Sequence, residues 1–63
     1  MESTQVTSLE GPKGKAEIYE LVQSVPSGGQ RFEYEVHNQG QVQRVLTLGE
    51  AYIIAKELTG TTG

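Results

Sequence analysis

Three ionisable side chains alternate along one short segment of the chain: Glu33, Glu35 and His37. In an extended strand they share one face, because side chains two residues apart point the same way. An imidazole beside a carboxylate is the arrangement of a general base, and two neighbouring carboxylates are the arrangement of a glycosidase. No sequence motif sets a nucleophile beside them. We therefore predict a surface histidine and a solvated strand face.

The composition argues against an active site anywhere in the chain. It has no Cys, no Trp and no Asp, and His37 is its single histidine. These are the residue types from which most catalytic centres and structural zinc sites are built. We predict that the protein is not an enzyme, with no catalytic residue, no cofactor and no metal ligand. Its 63 residues make one small domain, in which we expect no small-molecule pocket.

Charge and hydropathy limit the partners. The formal net charge is −3, which disfavours nucleic acid, since binding to phosphates draws on cationic side chains. No apolar run is long enough to cross a bilayer, and the first residues lack the features of a secretory signal. With no cysteine, the chain fits a reducing compartment. We expect a cytoplasmic protein that has no contact with membranes.

Two strands and a hairpin are predicted in the middle of the chain. Apolar and charged residues alternate over 31–37, which is typical of a half-buried strand. Asn38, Gln39 and Gly40 are turn residues, and the return strand covers 41–46. A second turn is predicted at 26–30, where the sequence is PSGGQ.

A C-terminal helix is predicted over 47–58. Thr47 and Glu50 have the T-x-x-E spacing of a capping box, in which each side chain bonds the other residue's backbone N–H. Apolar residues recur with helical spacing from Leu48 to Leu58, and Gly60 follows as a stop signal.

Residues 15–25 fit either a strand or a helix. Ile18, Leu21, Val22 and Val25 have helical spacing, but the short run is rich in residues that favour strands. We favour the strand and keep α-β-β-α as the alternative. Residues 1–14 are polar, so we predict a disordered tail there, a domain over 15–60 and a frayed end at 61–63.

The predicted fold is α+β: a three-stranded antiparallel meander with one C-terminal helix packed on one face, in the order β-β-β-α. The strand over 15–25 adds either Ile18 and Val22 or Tyr19 and Leu21 to the core. The other core residues are expected to be Phe32, Tyr34, Val36, Val42 and Leu46 from the strands, with Leu48, Ala51, Ile54, Ala55 and Leu58 from the helix.

The pattern of turns and core positions resembles small bacterial families of unknown function with a β-β-β-α fold. The resemblance implies a fold and carries no activity. It covers about two-thirds of the chain and depends on Gly28, Gly29, Tyr34, Val36, Gly40, Arg44, Thr47, Glu50, Ala51, Ala55 and Leu58.

Whichever face of the strand over 15–25 is turned toward the helix, some of its apolar side chains lie on the sheet face away from the helix. Such a strip indicates that something covers it. We therefore predict a non-catalytic protein–protein interaction module whose partner is another protein or a second copy, bound through the open sheet face or an edge strand. The alternative is a nucleic-acid-binding module or an acidic inhibitor that mimics nucleic acid. The candidate partner surface is Ile18, Val22, Arg31, Glu33, Glu35, Arg44 and Val45.

Overall fold

Four antiparallel strands and one C-terminal helix make up residues 2–61, which are the residues that this computed structural model describes. The strands are β1 (Glu2–Gly11), β2 (Gly14–Ser24), β3 (Gln30–Asn38) and β4 (Gln41–Val45), and they pair in that order. Helix α1 (Leu48–Thr59) packs on one face of the sheet. The α+β class and the C-terminal helix are as predicted, but the sheet has one strand more than the predicted three.

The additional strand lies in the segment that we expected to be a disordered tail. β1 pairs with β2 from Glu2 opposite Val22 to Gly11 opposite Gly14, with a bulge at Val6. Most β1 side chains are exposed, so the strand is held mainly by backbone hydrogen bonds to β2. For the same reason the hydropathy of residues 2–11 gives little indication of a strand.

At the other end of the chain, where fraying was expected, the Thr61 N–H donates to the Lys56 carbonyl oxygen at 3.1 Å. Met1, Thr62 and Gly63 lie outside the described residues.

The β3–β4 turn fixes the register of the sheet. Asn38 pairs with Gln41, and the two residues between them both have positive φ, 49° at Gln39 and 80° at Gly40. This is the pattern of a two-residue type I′ turn, which suits the twist of a hairpin. Tyr34 is consequently opposite Val45, and β4 ends there.

Helix α1 begins and ends close to its predicted bounds. The Thr47 hydroxyl accepts a hydrogen bond from the Glu50 N–H at 3.2 Å and lies 3.3 Å from the Glu50 carboxylate. The Glu50 carboxylate thus contacts the threonine hydroxyl. In the predicted capping box it would instead accept a hydrogen bond from the backbone N–H of Thr47. At the C-terminus Gly60 has φ 75°, and its N–H donates to the Lys56 carbonyl oxygen at 2.9 Å.

The core lies between the helix and the centre of the sheet. Its fully buried members are Ala16, Ile18, Val36, Ala51 and Ala55. Tyr34, Leu48, Ile54 and Leu58 pack around them as predicted, together with Leu9, Val45 and Tyr52.

Three residues that we expected in the core are exposed. Val42 is 53% exposed because it pairs with His37, on the sheet face that the helix does not cover. Leu46 is 65% exposed at the bend between β4 and the helix. Phe32 lies on the helix side of the sheet, as Val36 does, but is 46% exposed because the helix does not reach it.

The helix is about half as long as the sheet. Twelve helical residues span roughly 18 Å at 1.5 Å per residue, whereas the eleven residues of β2 span roughly 36 Å. The helix starts beside the end of β4 and finishes at the β1–β2 turn, where the Lys13 N–H donates to the Thr59 carbonyl oxygen at 2.9 Å. The far end of the sheet, near the β2–β3 turn, therefore extends beyond the helix in a domain that measures 44 × 21 × 15 Å.

Candidate interaction surface

The structure divides the predicted partner surface between the two faces of the sheet. Arg31, Glu33, Glu35 and Arg44 lie on the open face, away from the helix. Ile18, Val22 and Val45 lie on the helix side instead: Ile18 is fully buried in the core, Val45 packs against it, and Val22 is half-buried. The seven residues therefore do not form one continuous surface.

Four charged side chains of the open face form a chain of ion pairs. Arg44 donates to Glu35 at 2.8 Å, and its Nε lies 3.5 Å from the Glu33 carboxylate. Arg31 Nε lies 3.7 Å from the same carboxylate of Glu33. The strand register brings them together, because Glu35 is directly opposite Arg44. Each carboxylate thus has a cationic partner across or along the strands.

The ion pairs change the acidity of the groups involved. The hydrogen bond from Arg44, followed by that from His37, lowers the pKa of the Glu35 carboxyl below its ordinary 4.5. The same Arg44–Glu35 hydrogen bond raises the pKa of the arginine. Both shifts favour the charged forms, so the pair is ionised around neutral pH.

His37 has the neighbours of a surface histidine. Its Nε2 lies 3.1 Å from the Glu35 carboxylate, and its ring is 4.6 Å from the Tyr19 ring at an interplanar angle of 52°. The carboxylate that could orient the imidazole as a base also accepts a hydrogen bond from Arg44 at 2.8 Å. Among residues 2–61, no three acidic or histidine side chains are grouped closely enough to hold a metal ion.

The apolar strip expected on the open face is largely covered. Tyr19 and Leu21 are its members there, but Tyr19 is half-buried and Leu21 is only 5% exposed, opposite Glu33 in the β2–β3 ladder. The open face therefore presents the exposed apolar side chain of Val42 beside the paired charges of Glu33, Glu35 and Arg44.

On the helix side, exposed apolar surface lies at the end of the sheet that the helix does not cover. Phe32 is directly opposite Val22 there. Farther toward the helix, Tyr34 is opposite Glu20, and its hydroxyl donates to the Glu20 carboxylate at 3.0 Å, which raises the pKa of Tyr34 above 10.0. Phe32 and Val22 thus form a small apolar patch beyond the covered core.

The same end of the sheet has an unpaired strand edge. β3 starts at Gln30, but its pairing with β4 starts only at Tyr34. Among the described residues, 30–33 pair with β2 on one side and with no strand on the other. We name residues 30–33 the β3 edge. Its backbone groups face outward as in any edge strand, available to another chain.

Sequence reasoning missed the β3 edge, although one signal pointed to it. The strand predicted at 31–37 has seven residues. Its return strand has to fit between the two-residue turn and the helix cap at Thr47, and it is therefore too short to reach Arg31. Such a mismatch in strand length leaves one end of the longer strand unpaired.

Comparisons with known proteins do not assign the chain to a family. No protein-family model, no curated protein and no solved structure matches the chain. The resemblance to small bacterial families therefore stays a prediction. Within residues 2–61, the one helix is too short and too polar to cross a membrane.

Proposed function

We propose that the chain is a non-catalytic protein–protein interaction module that binds an extended protein segment along the β3 edge. The observation that carries the proposal is the early end of β4, which leaves residues 30–33 with a free edge. An extended segment added there gains backbone hydrogen bonds, and side-chain contacts then select which segment binds.

Phe32 supplies the apolar contact for such a segment. It is 46% exposed, on the helix side of the sheet but beyond the first residue of the helix. An aromatic side chain on an open strand edge gives a large contact area at a low cost in conformational entropy. The neighbouring Val22 extends the contact on the same face.

The other edges of the sheet are less suitable. β1 has a bulge at Val6, a feature that disrupts pairing along an edge strand. The outer edge of β4 carries Arg44, which is held by Glu33 and Glu35. The β2–β3 ladder, in contrast, keeps a continuous register along its described length, so the β3 edge is regular.

A nucleic-acid interface, the alternative expected from the sequence, has less support. Arg31 and Arg44 are the arginines of the sheet, and both lie within ion-pair distance of glutamates. Phosphates would have to replace those carboxylates as partners of the two arginines.

We also propose a cytoplasmic location, because a chain without cysteine fits a reducing compartment.

A selection from a library of extended peptides tests the proposal. The purified chain is immobilised, and the peptides that it retains are titrated against the ¹⁵N-labelled protein by NMR. We expect the largest amide shifts at residues 30–33. Shifts confined to the helix or to the outer edge of β1, or a failure to select any peptide, would contradict the proposal.

A matched pair of variants shows whether the apolar contact matters. Phe32→Ser removes the exposed aromatic ring of the β3 edge, and we expect it to weaken peptide binding at least tenfold. Ile53→Ser removes an apolar side chain that is 60% exposed on the helix, and we expect it to leave binding unchanged. Equal losses in both variants would show that the contact is not specific to the β3 edge.

A further inference from the structure

We infer that the segment bound by the β3 edge is the same edge of a second copy of this chain, so that two protomers join about a twofold axis at Phe32. This inference rests on the proposed function and names its partner. In such an antiparallel pair Phe32 lies opposite the partner's Phe32, and the two sheets become continuous through β3. An interface of this kind uses the same patch on both protomers.

The charges of the β3 edge are complementary to themselves in this register. Residues opposite each other across the axis have numbers that sum to twice 32, so Arg31 faces the partner's Glu33 and Glu33 faces the partner's Arg31. The pairing covers residues 31–33, because Val45 already occupies the position beside Tyr34 on each protomer. Opposite charges directly across an antiparallel pair stabilise it. The register thus forms two equivalent ion pairs.

Other self-pairings lack this complementarity. A register centred on Arg31 would place the two arginines opposite each other, and one centred on Glu33 would do the same to the two glutamates. On β4, pairing about Gln43 would set Arg44 opposite Val42, and pairing about Arg44 would bring like charges together. Because like charges across a pair are destabilising, the register centred on Phe32 is favoured.

Of the two charged side chains at the axis, Arg31 is free to rearrange, whereas Glu33 is 12% exposed and is also held by Arg44 at 3.5 Å. Arg31 is 63% exposed, and its contact with Glu33 is long, at 3.7 Å. It can therefore turn to the partner's Glu33 without breaking a short hydrogen bond. On the opposite face, Val22 and Phe32 of one protomer and the same residues of its partner would form one apolar row, which covers a ring that is 46% exposed in the single chain.

Charge reversal combined with sedimentation velocity tests the inference. We expect the wild-type chain to show a reversible, concentration-dependent dimer. Arg31→Glu and Glu33→Arg should each weaken it about tenfold or more, because each variant sets like charges opposite each other. An equimolar mixture of the two variants should form a heterodimer, since every opposing pair is then of opposite charge. The double variant R31E/E33R should dimerise more tightly than either single variant, because its cross-axis pairs are again of opposite charge; it loses the contact between Glu33 and Arg44, so its affinity should stay below that of the wild type.

Controls separate the interface from the fold. Glu57→Lys reverses an exposed charge on the helix and should leave the dimer unchanged. Thermal melts followed by circular dichroism show whether each variant is folded. If Arg31→Glu dimerises as tightly as the wild type, or if the mixture of folded variants stays monomeric, the register is wrong.

The two proposals fail in different ways. A wild-type chain that stays monomeric up to its solubility limit overturns the inference of a second copy. If that monomer still binds selected peptides at residues 30–33, the proposed function stands with a different partner. A monomer that binds no peptide overturns both.

Discussion

Ile18 and Val36 lie directly opposite each other in the β2–β3 ladder, and both are fully buried beneath the helix. They are the two largest apolar side chains among those with no exposed surface, so the small core depends on this one cross-strand pair. The alanines of the helix at 51 and 55 pack against the core without bulk of their own, which lets the helix approach the sheet closely.

Truncation of one member of the pair should destabilise the domain strongly. Val36→Ala removes two buried methyl groups and leaves a cavity, so we expect the free energy of unfolding to fall by about 1.5–3 kcal/mol. Val42→Ala makes the same chemical change at a side chain that is 53% exposed, and a loss within about 0.5 kcal/mol is expected. Urea unfolding of both variants measures the difference, and similar losses would show that Val36 is not the core residue described above.

The N-cap of the helix should contribute a measurable share of stability. Thr47→Ala removes the hydroxyl that accepts the Glu50 N–H at 3.2 Å, and we expect a loss of about 0.5–2 kcal/mol. Thr47→Ser keeps the hydroxyl and is the matched control, for which most of the stability should remain. Chemical denaturation of the three proteins gives the values, and an unchanged Thr47→Ala would mean that the cap contributes nothing.

Two glycines should respond to alanine with opposite signs. A methyl group at Gly11 would overlap the Thr59 carbonyl oxygen and lie 2.7 Å from the Thr61 hydroxyl, so Gly11→Ala should destabilise the domain. A methyl group at Gly49 meets nothing within 4 Å, so Gly49→Ala should raise the stability by about 0.4–1 kcal/mol through the reduced entropy of the unfolded chain. Melting temperatures that move in the same direction for both would contradict the packing of Gly11 against the end of the helix.

Stability should depend on pH through Glu35. Because the folded state lowers the pKa of this carboxyl below 4.5, its contribution is present above that pH and is lost as the pH falls through the folded value. Glu35→Gln should therefore be less stable than the wild type at pH 7, with the gap narrowing in acid. Glu57→Gln is the control, since none of the ion pairs in the described part of the chain includes Glu57. Urea unfolding across this pH range measures both, and a gap that is constant with pH would exclude the proposed linkage.

The helix could be predicted from the sequence because its signals are local. The T-x-x-E spacing at Thr47, the helical recurrence of apolar residues and the stop at Gly60 all lie within fourteen residues of chain. The β3–β4 turn was predictable for the same reason, since Asn38, Gln39 and Gly40 specify a tight turn by themselves. The α+β class followed from these elements.

The faces of the strands could not be predicted as well. Val42 and Val45 were assigned to the wrong sides, because the side on which each lies depends on which residue of β3 it pairs with. A shift of one residue in register moves every side chain of a strand to the other face. Ile18 and Val22, placed on the partner surface by sequence reasoning, lie on the helix side for the same reason.

The sequence by itself determined where the helix begins and ends, where the β3–β4 turn lies, and which residue types are absent, since caps, turns and composition depend on neighbouring residues alone. Only the tertiary structure decided that residues 2–11 form a strand, that the helix is about half as long as the sheet, and that the edge at residues 30–33 is free. Those features depend on backbone pairing and on the relative lengths of elements that are distant in sequence, and a polar strand such as β1 is held by a partner that its own hydropathy does not reveal.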